Sequence, residues 1–309
     1  MPETQSYLLT TTGPALVSFD AYAQQGGFTG LRQALTTMTP AQVLGELRTA
    51  GLRGRGGAGV LAAEKLKLVA QAPADQKYLV CNAYDADTRS AVASSLLERN
   101  PFLVIEGIAL AAYAIGATEA YLYVRSSREA AAESIRQALA SAQERGALGR
   151  GIFGSQTDLT ITLVGVERGF MGGEESSLLE IIKGRPMKAQ QRPPYPTEYG
   201  LQGQPTVVQN VETLANLPVI VARGGEAFRK VGTEGSPGTK LLTVIWPASA
   251  QGVVVEVPFG TKLRDILAKA GAPTNDDGLR AVEVGGGEGG VLPPTLLDTP
   301  YDYEPLEEA

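Results

Sequence analysis

Apolar positions recur along this chain in two rhythms. Leu103 to Ala114 is apolar at nearly every position and runs into Gly116, which predicts a buried helix with a glycine stop. Arg128 to Glu144 gathers its apolar residues on one face of an alanine-rich stretch and predicts an amphipathic helix; Val60 to Ala70 has the same helical spacing. Between them, Lys77 to Cys81, Ala120 to Val124 and Asp158 to Val166 are apolar or alternating runs of strand length. Strands taking turns with helices predict an α/β domain with a mainly parallel sheet.

The flanks are patterned differently. Residues 1–40 are polar, threonine-rich and weakly periodic, and predict an irregular arm with one short helix near Gly30 to Met38. Thr39 and Pro40 ahead of Ala41 to Ala50 predict a capped helix, threonine at the cap and proline at the first helical position. Composition shifts near Thr233, where TEGSPGTK reads as a turn-rich linker. Beyond it, strands are predicted over Leu241 to Trp246, Val253 to Val257 and Leu279 to Val284, with a helix over Thr261 to Ala270. That order describes a small α+β unit of β-grasp type. The last residues, DTPYDYEPLEEA, are acidic and predict a frayed tail. The expected division is an N-terminal arm (1–40), an α/β domain (41–235), a β-grasp domain (236–300) and an acidic tail (301–309).

Composition then narrows the chemistry. With 309 residues, 43% hydrophobic and 19% charged, the chain has ample material for a core. A net charge of −6 argues against a general role on nucleic acid or anionic membranes. The one cysteine, Cys81, rules out an internal disulfide and any iron–sulfur cluster or multi-thiolate metal site built by this chain alone. Cys81 itself is either core or a neighbour of a ligand. The absence of histidine removes imidazole general-base chemistry and Ser-His-Asp triads, leaving only carboxylate metal sites, none of which the sequence singles out. No secretory signal and no run of about 18 apolar residues is present, so a soluble cytoplasmic protein without a membrane span is expected.

The stretch Gly51 to Lys65, GLRGRGGAGVLAAEK, suits an anionic or phosphate-bearing ligand, because glycine lets backbone amides approach closely ahead of a helix start. It is followed in order by YLVCN (78–82), NPFLVIEG (100–107), GGEE (172–175), PPYP (193–196) and NVETLA (210–215). That ordered set, over about residues 40–305, resembles the flavoprotein subunit of bacterial respiratory complex I and of related NAD-linked hydrogenases and formate dehydrogenases. The resemblance implies an FMN-binding α/β domain followed by a β-grasp domain, with hydride passing from NADH to FMN and electrons passing on to an iron–sulfur or thioredoxin-like ferredoxin partner subunit. It implies that Gly54, Arg55, Gly56 and Gly57 pack their backbone against the isoalloxazine and ribityl chain, and that Lys65 lies beside the ring. Asn82 and Asp85 would contact the flavin. Gly173, Glu174 and Glu175 would form the loop shared by FMN and the nicotinamide dinucleotide, with Lys65 and Glu174 as the catalytic candidates. Gln209, Asn210 and Thr213 would lie on the phosphate side. Asp87, Phe170, Glu175, Arg192 and Tyr195 would serve the nucleotide. Each also has a plainer reading: Lys65 as a solvated charge, Glu174 and Glu175 as a helix start, Asn82 as a strand cap, Asn210 and Thr213 as a helix cap.

The chain departs from the family pattern in three places. Tyr84 stands where a small acid is usual, and three orientations are open to it: stacked near the cofactor, blocking the nucleotide, or turned into the core. Val60 and Leu68 replace the family's two adenine-sandwiching aromatics; base–aromatic stacking is worth about 1–3 kcal/mol per base, so the NADH pocket is expected to be weakened. The sequence ends where the β-grasp domain would, without the cluster-bearing helical domain, which suggests a short paralogue. The alternative is therefore a non-catalytic accessory, assembly or ligand-binding subunit. A third reading, a β-grasp unit for another ligand such as a cobalamin or glycan, rests on fold analogy alone.

Overall fold

Four short strands lie side by side and all run the same way. In the computed structural model, which describes residues 7–9, 15–167, 169, 171–274, 279–286 and 289–309, these are β1 (Tyr78–Ala83), β2 (Glu119–Arg125), β3 (Thr160–Val166) and β4 (Thr206–Asn210), in the order β3-β2-β1-β4. Parallel strands need crossovers, and helices supply them. Between β1 and β2 come α5 (Val92–Arg99) and α6 (Pro101–Ile115), and between β2 and β3 comes α7 (Glu129–Glu144). The crossover from β3 to β4 carries α8 (Glu175–Ile182).

Ahead of the sheet stand α1 (Phe19–Gln24), α2 (Thr29–Thr37), α3 (Pro40–Ala50) and α4 (Ala62–Gln71). The predicted α3 forms with a full capping box: Thr39 Oγ1 accepts from Gln42 N, and Gln42 Oε1 accepts from Thr39 N at 2.8 Å. The short helix expected near Gly30 to Met38 is α2; the rest of the expected irregular arm holds a further helix, α1, and Phe19, Tyr22, Phe28, Leu31 and Ala34 of this stretch belong to the main core. Phe19 and Tyr22 keep helical spacing, but α1 is only six residues long, too short for a stripe to show.

Strand alternation divides the core. Leu79, Cys81 and Ala83 face α6, every residue of which except Tyr113 is buried, while Tyr78 and Val80 face a second cluster with Tyr123, Leu178, Leu179 and Val208. Cys81 is therefore core, and burial pushes its thiol well up from the usual value. Helices α9 (Val211–Ala215), α10 (Leu217–Arg223) and α11 (Gly225–Arg229) follow β4 directly. Helix α9 meets α6 backbone to backbone: a Cβ on Gly107 would lie 2.1 Å from Leu214 O.

The C-terminal part has its own small core. Hairpin β5 (Thr239–Trp246) and β6 (Ser249–Pro258) packs against α12 (Leu263–Ala270) around Val244, Val255, Val257, Ile266 and Leu297. A second antiparallel pair, β7 (Val282–Val284) and β8 (Gly290–Leu292), forms a ladder separate from the first among the described residues. The acidic tail is not frayed. It forms α13 (Tyr303–Glu308), because Asp302 at its cap is buried and accepts from Thr233 Oγ1 (2.5 Å), Ser236 Oγ (2.6 Å) and Tyr303 N (2.9 Å). Residues 7–9 dock on β6, where the buried Glu256 carboxylate accepts from the amides of Tyr7, Leu8 and Leu9 at 2.8–3.2 Å. No described helix is long and apolar enough to cross a membrane.

Candidate functional site

The strand order has one switch point. The chain leaves β1 toward β2 and β3, then returns to β4 on the other side of β1, so the crevice beyond the carboxyl ends of β1 and β4 is where a ligand fits an open parallel sheet. Asn82 lies near the end of one strand and Asn210 ends the other, and the two are paired in register. In front of them lies a cleft of about 1260 Å³. Pockets for a single small molecule run to roughly 1,000 Å³, so this one has room for more than one such ligand.

The glycine loop forms one wall. Gly54, Arg55, Gly56, Ala58 and Gly59 line the cleft, and Gly56 comes so close to the strand end that a Cβ there would stand 3.3 Å from Asn210 Cβ. Gly57 sits at the turn with φ +121°, and a Cβ there would meet nothing within 4 Å. The Arg55 side chain points away from the cleft: its buried guanidinium donates to Pro237 O (2.7 Å), Thr239 O (3.1 Å) and Arg53 O (3.1 Å) and lies over the Phe259 ring. Burial lowers its pKa, opposed chiefly by Glu212. Thr213, expected on the phosphate side, is buried behind the loop instead, where its Oγ1 accepts from Arg55 N at 2.8 Å.

Opposite the loop, Lys65 reaches the cleft from α4 and meets Glu175 Oε1 at 2.5 Å. Arg192 bridges Glu174 (2.6 Å) and Glu175 (3.4 Å), so these four residues form one alternating network. Glu175 and Arg192 line the cleft. Glu174 caps α8, accepting from Ser177 N (2.8 Å) and Ser176 Oγ (2.6 Å). Burial alone would raise its pKa, but those hydrogen bonds and Arg192 outweigh it and hold the carboxyl below the usual range. The carboxylate of Glu174 is thus committed to its own helix.

Asn82 ties the walls together: Nδ2 donates to Gly173 O (3.0 Å) and Oδ1 accepts from Tyr84 N (3.2 Å). Asn210 uses Oδ1 to cap α9 through Glu212 N (2.9 Å). Asp85 lines the cleft with φ +48°, and its carboxylate accepts from Ser90 Oγ and from the amides of Ala93 and Ser94 at 2.9–3.0 Å, at the start of α5. Asp87 accepts from Arg89 N (2.8 Å), and Arg89 reaches Glu283 across to β7 (2.9 Å). Gln209 lines the floor, and Tyr195 stands exposed at the rim. Phe170 lies outside the described residues.

Of the three orientations open to Tyr84, the core is the one taken. Its buried ring packs near Tyr123, and its hydroxyl donates to Gly169 O (3.0 Å) and accepts from Gly169 N (2.7 Å). A Cβ on Gly172 would fall 2.3 Å from that ring, so the phenol supports the Gly172–Glu175 turn from behind. Val60 and Leu68 are 58% and 61% exposed on the cleft wall. Four charged residues that sequence patterning did not single out, Glu64, Glu198, Glu212 and Lys240, also line the cleft. Glu212 is buried, accepts from Leu241 N (2.7 Å) and pairs with Lys240. Its signal was present in NVETLA, but nothing local marks a partner 28 residues away.

Residues 47–219 match the family model described as the Nuo51 FMN-binding domain. The chain is 38% identical over 294 residues to a component of the NADH-quinone oxidoreductase of Aquifex aeolicus, covering 95% of this chain and 68% of that protein. It is 39% identical over 290 residues to the HndC component of the NADP-reducing hydrogenase of Solidesulfovibrio fructosivorans, covering 94% of this chain and 59% of that one. Among solved structures it is similar to an NAD+-reducing NiFe-hydrogenase in its H2-reduced state, with TM-score 0.79 and 32% identity over 97% of this chain. The chain spans about half of that hydrogenase chain. With a match over more than half its length and a cleft at the switch point where the matched glycine loop meets Asn82 and Asn210, the chain belongs to the Nuo51 FMN-binding domain family.

Proposed function

We propose that the cleft holds FMN and that the chain works as an NADH-dehydrogenase-like flavoprotein, receiving hydride from a nicotinamide dinucleotide and delivering electrons to an iron–sulfur or thioredoxin-like ferredoxin partner subunit. The observation that carries this is the convergence of the glycine loop, Asn82 and Asn210 on one cleft at the sheet's switch point. The residues suit the group: the loop lines the cleft with glycines and one alanine while the Arg55 side chain turns away, and the volume admits a second ligand beside the first. On this reading Gly54, Arg55, Gly56 and Gly57 take the ring and ribityl chain, Asn82 and Asp85 its edge, and Gln209 and Asn210 the phosphate side. Thr213 contributes by holding the Arg55 amide.

FMN, when bound, supplies the conversion of one hydride into two single electrons. The chain's own contribution is placement and charge. The Lys65 ammonium, fixed by Glu175, offers positive charge to an anionic ligand. Glu174 serves by orienting Arg192 rather than by moving a proton. Gly173, Glu175, Arg192, Tyr195, Asp87 and Phe170 are the residues we assign to the dinucleotide. None of this needs a histidine. We read residues 41–235 as the flavin unit and 236–300 as a β-grasp unit, on the strand, strand, helix, strand order of β5, β6, α12 and β7.

Titrating the purified protein with FMN should quench flavin fluorescence at a one-to-one ratio; no binding sinks the proposal. Anaerobic NADH should then bleach the bound flavin, and Lys65→Ala should slow the bleaching by at least about tenfold, the usual scale for removing one charge from a reacting centre. The exposed aliphatic Val60 and Leu68 favour a second reading, a flavin-binding subunit that no longer uses NADH. FMN binding without any bleaching selects it.

A further inference from the structure

The glycine loop is held from behind at its base, at Arg55, and from below by Asn210, but its outer side rests on the chain's C-terminal helix. Tyr303 opens α13, and a Cβ on Gly59 would stand 3.0 Å from both its Cζ and Oη. The phenol hydroxyl also lies 3.5 Å from Gly54 O, at the limit of hydrogen bonding. So the ring packs on the Gly59 end of the loop, and its hydroxyl alone reaches the Gly54 end. The ring is itself fixed: it stacks on Phe259 with centroids 6.1 Å apart and 15° between planes, and the Arg53 guanidinium lies over it at 5.2 Å. Phe259 in turn receives Arg55 on its ring at 4.6 Å. Asp302, bonded to Thr233 and Ser236, fixes the start of the helix.

We infer that Tyr303 is a positioning residue for flavin binding: its ring is the outer wall that keeps Gly54–Gly59 in the shape that meets the cofactor. The inference rests on the FMN reading for its purpose, though not for its geometry. Backbone amides aimed at a ligand bind well only if the loop is already in place, since ordering it during binding would subtract from affinity. The Arg53 bridge to Leu61 and the Gly54 N to Val60 O bond (2.8 Å) close the loop's neck from within. The ring backs that neck from outside at Gly59 through its bulk, and so fixes the direction in which Gly56 and Gly57 leave it. Its hydroxyl contributes little at 3.5 Å.

The test compares Tyr303→Ala and Tyr303→Phe with the unaltered chain in two measurements. The first is the FMN dissociation constant from fluorescence quenching. The second, made without flavin, is amide hydrogen exchange at Gly54 and Arg55, whose N–H groups are bonded to Val60 O and Thr213 Oγ1. Tyr303→Ala should weaken FMN and speed exchange at these two amides by about tenfold each, while exchange in β1 and α6 stays unchanged. Tyr303→Phe should restore both to within about twofold, because it keeps the ring. Exchange at Gly54 and Arg55 unaffected by Tyr303→Ala, an equal loss in Tyr303→Phe, or acceleration spread over the whole chain would each overturn the inference. Failure of the unaltered protein to bind FMN would instead overturn the FMN reading, and the exchange rates would still decide whether Tyr303 holds the loop.

Discussion

Single residues in this chain often serve a neighbour rather than the position their sequence context suggests. Glu106 lies in the most apolar helix yet accepts from Tyr22 Oη (2.5 Å) and Phe28 N (2.8 Å) on one oxygen and from Leu31 N (3.0 Å) on the other. Burial raises its pKa, with those three donors opposing the rise. Glu106→Gln presents an amide where only donors point, and should cost about 1–3 kcal/mol in urea unfolding. Thr213→Val strands the Arg55 amide in the same way; it should lower stability by about 1–3 kcal/mol and weaken FMN without touching the ligand. Lys65, Asn82 and Asp85 were legible in the sequence because the family motif names the residue and the fold delivers it to the cleft. Glu174 and Thr213 were legible as members of the motif but not in their hydrogen bonds, and the anchoring of the Arg55 side chain was not legible at all, since a motif says nothing of which way a side chain turns. Tyr84 shows the same gap.

At the scale of elements, the helices with strong periodicity were readable, and of the short ones between β3 and β5 only the starts of α8 at Glu174 and of α9 at Asn210 were. Strand β4 is only Thr206–Asn210, buried along nearly all its length, and a run that short carries too little pattern to separate it from a loop. Yet β4 makes the switch point and half the site. The same economy shows where α6 crosses α9. Gly107→Ala would drive a methyl to 2.1 Å from Leu214 O, so the helices must part and carry Asn210 away from Asn82. The expected outcome is a loss of several kcal/mol, about 3 or more, measured as a fall in melting temperature together with loss of FMN binding. Helix α13 was misread as a frayed end because its composition is acidic; what orders it is Asp302, whose partners Thr233 and Ser236 are remote in sequence.

At the scale of the molecule, that same carboxylate links the C-terminal part to pH. Burial would raise the Asp302 pKa, but the hydrogen bonds from Ser236, Thr233 and the Tyr303 amide outweigh it and hold the group below the usual aspartate value. A carboxyl lowered in the folded state adds stability that is fully present above its unfolded pKa, about 4, and is lost as pH falls through its lower folded value. Acidification from about pH 5 to pH 3 should therefore release α13, read as faster exchange at Tyr303 than in β1, and Asp302→Asn should flatten that dependence. Arg55 has a consequence of another kind, in time. Its amide waits for Thr213, 158 residues further on, and its guanidinium for Pro237, 182 residues further on. The glycine loop can take its final form only after the 182 residues that lead from Arg55 to Pro237 have been synthesised. Pairings so distant are slow to form, and pulsed exchange during refolding should find the Arg55 amide among the last to be protected. A stretch made well before its partners is thus among the last to mature.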